Sequence, residues 1–235
     1  MTLEFLESLA VPAKLLDRIQ IRNPSEKTCD WLWRSEEYRS WRRPGSHILH
    51  ILGKAGSGKS VLAKLILETL GTECEGIAGK QVLYYFCNNR NRPDENASFI
   101  VTFFIHQLLS DRQSLIDRVL KDTGITYILS SSKSPSPWSF ESLWSIFETA
   151  LNSSKLDEIY CVIDGLDESD RASTREFLSR LPGLLRRVPA RRSLKFVLTS
   201  RTKIHTGKTL QAFYTLIQTL LVRGLRPTFL KGLTN

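Results

Sequence analysis

The stretch GKAGSGKS, residues 53–60, places Gly53, Gly58, Lys59 and Ser60 in the spacing G-x-x-x-x-G-K-[ST]. Glycines there let the backbone turn until several amide N–H groups point at one anion. A helix starting at the same place adds the positive end of its dipole. Lys59 would reach the β- and γ-phosphates of a bound nucleotide as a point charge, and the Ser60 hydroxyl would serve Mg²⁺. Gly53, Ala55, Gly56, Ser57, Gly58, Lys59, Ser60 and Val61 are therefore the candidate phosphate-binding residues, with Ser60 also a metal ligand.

A second set lies in EIYCVIDGLDESD, an apolar run that ends at Asp164 and is followed by Asp167 and Glu168. In a parallel sheet the strand ends converge on one crevice, so these acids would face the phosphates. Asp164 is the candidate Mg²⁺ residue, while Asp167 and Glu168 are candidates to orient or deprotonate an attacking water. The competing reading, an acidic turn capping the next helix, suits Glu168 and Asp170 better than Asp164. The run LKFVLTSR brings Thr199, Ser200 and Arg201 to the same edge, where a hydroxyl and a forked guanidinium could sense a γ-phosphate. In the alternative, Arg201 only begins a solvated loop. The later HTGKT, with Gly207, Lys208 and Thr209, is a decoy, since Thr202 stands where a second such loop needs glycine and no strand leads into it.

Four nearly continuous apolar runs position these residues: 47–52, 81–87, 158–164 and 194–200. Rich in β-branched and aromatic side chains, they read as strands covered on both faces. Helical patterns open at Ser60 after the glycine break, at Ser98, at Ser139 and at Ala172. Alternation of strand and helix predicts a three-layer α/β domain with a parallel sheet. The polar segment 130–137 reads as a loop. A leader, 1–46, carries Trp31, Trp33 and Trp41 on a short helical pattern, a density of aromatics typical of core or interface anchors.

Composition narrows the function. Hydrophobic residues are 41% and charged residues 24%, a globular balance. Glu4 and Glu7 stand where a secretory signal needs a basic start, and no apolar run approaches the roughly 20 residues of a membrane span. Cys29, Cys74, Cys87 and Cys161 are scattered, as suits reduced thiols in the cytoplasm rather than disulfides or a zinc site. The net charge of +9 raises the question of a polyanion partner, but much of it lies on arginines spaced along the helix after 171, which reads as a solvated face. Neither nucleic acid nor membrane is the expected partner.

The glycine loop is a P-loop. Together with CVIDGLDES, LTSR and the tryptophan-bearing leader, it resembles the NACHT NTPases of the STAND class, and among them the nephrocystin-like NACHT proteins abundant in filamentous fungi. The specific part is the Walker B turn, in which a small residue follows the first Asp and two acids come two residues later; here these are Asp164, Gly165, Leu166, Asp167 and Glu168. TCDWLWRSEEYRSW is similar to the family's T-C-x-W-L followed by Y-x-x-W, and YYFCNNR on the second strand is similar too. The resemblance covers residues 8 to 203. It implies the additional-strand class of P-loop fold and a toggle that holds ADP when silent and exchanges it for ATP to self-associate. It also implies slow ATP hydrolysis and a place in fungal non-self recognition, innate immunity and regulated cell death. Carried over by position, Lys59 and Ser60 hold phosphate and Mg²⁺, Asp164 holds Mg²⁺, Asp167 and Glu168 serve hydrolysis, and Arg201 is the sensor. Ala55 and Thr202 stand where family members usually have proline.

The tail departs from the family. After Lys203 the sequence predicts no fifth strand, no winged helix and no repeats. Leu210, Phe213, Leu216, Ile217, Leu220 and Leu221 fall on one helical face, so a helical tail is expected over 204–235, after a nucleotide-binding core at 47–203. Without a fifth strand, Ile48 to Leu52 would be an unpaired edge, as in a truncated chain lacking its effector and sensor repeats. The other readings are a small P-loop kinase and a non-hydrolysing adaptor or remnant. A GTPase is not expected, since no NKxD guanine-reading motif occurs.

Overall fold

The computed structural model describes residues 2–9, 11, 29–45, 47–87, 96–125, 138–201 and the backbone of 217–222. The four apolar runs form β1 (Ile48–Gly53), β2 (Lys80–Phe86), β3 (Glu158–Asp164) and β4 (Ser193–Ser200). A fifth strand, β5 (Ile217–Val222), pairs with β1 from Ile48 opposite Ile217 to Gly53 opposite Val222. All pairings are parallel, and the order across the sheet is β2, β3, β4, β1, β5.

β5 corrects two expectations: the helical reading of Ile217, Leu220 and Leu221, and the unpaired edge at Ile48 to Leu52. IQTLLV is a short apolar run, and periodicity does not separate strand from helix over so few residues. The unmatched N–H and C=O row along β1 decides the matter, because pairing satisfies that row where a helix would not. Leu210, Phe213 and Leu216 lie outside the described residues, as do Thr202, the HTGKT decoy, Asn88 to Arg90 and the 130–137 loop.

Eight helices are described: α1 (Thr2–Ser8), α2 (Asp30–Arg34), α3 (Glu36–Arg42), α4 (Lys59–Cys74), α5 (Ala97–Leu109), α6 (Gln113–Thr123), α7 (Phe140–Ser153) and α8 (Arg171–Arg187). Side-chain oxygens cap several of them: Asn96 accepts from Ser98 N, Ser139 from Ser142 N and Asp170 from Ser173 N. Of the acidic-turn residues, then, Asp170 is the cap and Glu168 is not. Helix α6 was not anticipated, although Leu115, Ile116, Val119 and Leu120 make one apolar stripe.

The strands divide their side chains between two cores. Leu49, Ile51, Tyr160, Val162 and Val197 point to one face, where α4 packs through Leu62, Ala63, Ile66 and Leu70. Cys29, Leu32, Tyr38 and Trp41 of the leader join that same core, so Trp41 is an anchor, fully buried, while Trp31 is exposed. Ile48, Leu83, Cys161, Ile163, Phe196 and Leu198 point to the other face, against α5 to α8 and Phe5 of α1. This alternation makes the three layers.

The basic helix is tied down. Arg180 pairs with Glu141 and Arg187 with Glu148, two contacts one heptad apart that lace α8 to α7. Arg192 donates to the carbonyls of Leu151 and Ser154 at the end of α7, where the last carbonyls lack helical partners.

At the base of the sheet sits a second charged cluster. Lys195, 1% exposed, donates to the Arg42 carbonyl at 3.0 Å and lies 3.6 Å from Glu158, over the rings of Trp41 and Tyr160. Burial pushes its ammonium below the usual lysine range. Tyr160 donates to Glu158 at 2.6 Å, Lys80 lies 2.9 Å from the same carboxylate, and Arg42 pairs with Glu73.

Candidate functional site

The site is assembled where β1, β3 and β4 end. β1 stops at Gly53, and the chain turns through Lys54 to Gly58 before α4 begins at Lys59. Gly58 sits at φ +86, a left-handed conformation that side chains other than glycine's rarely adopt, and it is what allows the turn to feed directly into the helix. The first amides of α4 have no acceptor within the helix and point into the crevice. Lys59 is buried under the loop and donates to the carbonyls of Gly53 at 2.8 Å and Lys54 at 3.0 Å, so its charge is held at the centre of the cradle. The Ser57 hydroxyl is buried and has no hydrogen-bond partner among the described residues. A buried hydroxyl without a partner is costly, and one in a glycine loop that leads into a helix N-terminus fits a site built to meet acceptor oxygens.

Asp164 closes β3, 6% exposed. Burial raises its carboxyl above the usual aspartate range, while hydrogen bonds from Ser60 and Thr199 oppose that shift. Thr199 Oγ1 donates to Asp164 Oδ1 at 2.5 Å and accepts from Gly165 N at 2.8 Å. The strand inserted between β1 and β3 thus supplies the bridge between them: Ser60, Asp164 and Thr199 come from three different elements and meet. Gly165, at φ +71, sends the chain sharply away from β3 past the Cys87 carbonyl. That turn, Leu166–Glu168, brings the two further acids back over the end of β4.

Arg201 meets those acids. Its backbone N–H donates to Asp167 Oδ1 at 2.9 Å, its Nε lies 3.3 Å from Asp167 Oδ2, and its Nη2 donates to Glu168 Oε1 at 2.6 Å. The reading of Arg201 as the start of a solvated loop is therefore incomplete, since its half-exposed side chain is held by two carboxylates. Ser200 is engaged from below. Its Oγ lies 2.9 Å from Nε2 of His50, a buried histidine in the middle of β1 whose pKa burial lowers to about 4. His50 was not singled out from the sequence. Its signal was a lone polar residue inside HILHIL, a position that must find a partner within the sheet.

The structure therefore brings together Lys59, Ser60, Asp164, Asp167, Glu168 and Arg201, with Thr199 and His50 as supports. Ser60 and Asp164 offer hard oxygen donors side by side, the donor type Mg²⁺ takes, and that ion usually completes its shell with phosphate and water. Among the described residues no group of three His, Cys, Asp or Glu side chains could hold a metal by itself.

A strand lies between the one feeding the glycine loop and the one ending in the acidic turn, which makes this a P-loop NTPase fold of the additional-strand class. The chain belongs to the family Nephrocystin 3, N-terminal, which matches residues 27–201 and so spans α2 through Arg201. Among solved structures it is similar to the Orc1 protein of Aeropyrum pernix in complex with DNA, at 14% identity and a TM-score of 0.48, covering 92% of this chain and 48% of that one. The Orc2 protein of the same organism is similar at 11% identity and TM-score 0.48, covering 89% and 51%. The cbiO1 protein of Clostridium perfringens, part of the ABC transporter complex cbiONQ, is similar at 13% identity and TM-score 0.35, covering 66% and 67%. This chain spans about half the length of the two Aeropyrum proteins. No curated protein matches the chain by sequence.

Proposed function

We propose that the chain is an adenine-nucleotide-binding NACHT module of the STAND type, a switch set by whether ADP or ATP is bound. The observation that carries this reading is the meeting of Ser60, Asp164 and Thr199 beside the Lys59 cradle, because it joins a phosphate site to a metal-binding pair. The amides at the start of α4 and Lys59 bind the phosphates, and Ser60 and Asp164 hold Mg²⁺. When bound, that ion neutralises charge on the β- and γ-phosphoryl oxygens. The acidic turn of Asp167 and Glu168 supplies the carboxylate that acts on water, and Arg201 reports the third phosphate. Slow ATP hydrolysis then resets the switch, and self-association follows ATP binding.

Four free cysteines, three of them buried, support a reducing cytoplasmic setting. Among the described residues no helix is long and apolar enough to cross a membrane. The lacing of α8 arginines to α7 supports a structural origin for part of the basic balance, and nucleic acid is not the proposed partner. The proposed division is a leader at 1–46 and a core that starts at 47 and takes in β5 at Ile217–Val222 beyond the expected bound of 203, with fungal non-self recognition and cell death the proposed process. The test is titration of labelled ATP, ADP and GTP with and without Mg²⁺, on the chain and on Asp164→Asn. The reading expects ATP and ADP to bind in preference to GTP, with the gain from Mg²⁺ lost in the variant. Equal GTP binding would remove the adenine assignment, and an unchanged Mg²⁺ effect would remove Asp164 as its holder.

A further inference from the structure

Asp167 and Glu168 look equivalent in sequence, but the structure uses them differently. Asp167 turns both carboxylate oxygens to Arg201, and one of its contacts is to the main-chain N–H. A main-chain contact persists when a side chain rotates. Glu168 meets Arg201 only through the outer Nη2, a contact that rotation of the long, half-exposed stem releases. Asp167 is therefore fixed to the first residue beyond β4, and through it the path of the chain leaving β4 is fixed to the turn leaving β3. Each of its two oxygens already faces Arg201, so the carboxylate is committed to that residue. Glu168 sits on a turn held by its own N–H to the Gly165 carbonyl at 2.7 Å, so its backbone is set while its carboxylate is restrained by a movable partner.

We propose that Asp167 is a positioning residue that fixes Arg201 at the end of β4, so that the guanidinium can pass from Glu168 to the terminal phosphate and leave Glu168 as the carboxylate that acts on water. The assignment rests on the nucleotide-binding reading above. It makes the third phosphate its own trigger: the guanidinium that contacts it is the one that restrains the base. In the reaction the water oxygen bonds to the terminal phosphorus and the bond to the bridging oxygen breaks, leaving its electron pair on ADP. The water proton passes to Glu168 and then to the released phosphate.

The experiment is equilibrium binding of MgATP and MgADP to the full chain, with melting temperature followed in parallel, for Asp167→Ala, Asp167→Asn, Arg201→Ala, the double Asp167→Ala/Arg201→Ala and Glu168→Gln. Arg201→Ala and Asp167→Ala should each lower the ATP-to-ADP affinity ratio by about tenfold, the worth of one charge-assisted hydrogen bond, and the double variant should lower it no further. Asp167→Asn keeps an oxygen for the Arg201 N–H and should recover most of the ratio, whereas a residue acting as a base would not be rescued by an amide. Glu168→Gln, which weakens the contact that competes for the guanidinium, should leave the ratio no lower than wild type and lose turnover. Additive effects of Asp167 and Arg201, or an Asn variant as impaired as the Ala variant, would overturn the assignment while leaving nucleotide binding intact. A wild-type chain that melts normally and binds neither nucleotide would overturn both readings together.

Discussion

Strand β3 begins at Glu158 and ends at Asp164, and strand β4 carries Lys195 near its start and leads to Arg201 at its end, so the same two strands present a charged cluster at each end of the sheet. At the base the charged groups pair with one another under aromatic rings, although Arg42 Nη1 and Trp41 Nε1 are buried there with no partner among the described residues. Lys195 has Glu158, a carbonyl and two aromatic faces, and Glu158 in turn takes Tyr160 and Lys80. At the other end the donors converge instead. Lys59, the first amides of α4 and the unpartnered Ser57 hydroxyl gather at the glycine loop, beside a buried carboxyl that burial holds above its usual range. Burial of charge is common to both regions and so says nothing about function. What separates them is what surrounds the charges: aromatic rings cover the base, whereas the other end opens on a glycine loop and the first amides of a helix, which have no acceptor within it.

That contrast can be broken in order of expected effect. The support under the site depends on a neutral His50. Because its pKa is lowered from 6.5 to about 4, the folded state takes up fewer protons than the unfolded chain between those values, and stability falls as pH drops through that window. His50 should contribute about 3 kcal/mol of acid destabilisation, seen as a flatter pH dependence of urea unfolding in His50→Gln than in wild type. At the base, Lys195→Met should cost about 2 kcal/mol, since it leaves Glu158 with one buried partner fewer, and it should leave nucleotide affinity unchanged. Equal stability with weakened nucleotide binding in Lys195→Met would mean the two ends are coupled and the distinction is wrong.

Much of the upper end was legible in the sequence because its residues are tied to fixed spacings. Gly58, Lys59 and Ser60 must follow a strand and open a helix, and Asp164 must end one. The four apolar runs became β1 to β4 with boundaries shifted by a residue or so. What escaped notice was whatever depends on a distant partner. β5 reads as a helical face until the bare edge of β1 is known. His50 needs Ser200, 150 residues away, to explain it. The different uses of Asp167 and Glu168 come from where β4 delivers Arg201, and no spacing within DGLDES contains that. The lower cluster was equally hidden, since Lys195 reads as an ordinary break in LKFVLTS until Trp41 of the leader is packed above it.

The most direct test of the account is the affinity of the chain for MgATP and MgADP before and after Lys59→Ala, with unfolding measured in the absence of nucleotide. Removing the charge at the centre of the convergent cradle should weaken both nucleotides by about a hundredfold and abolish their thermal stabilisation, while the nucleotide-free protein still unfolds cooperatively. If Lys59→Ala binds both nucleotides as tightly as wild type, the convergence at the end of β1 is not a phosphate site and the account fails.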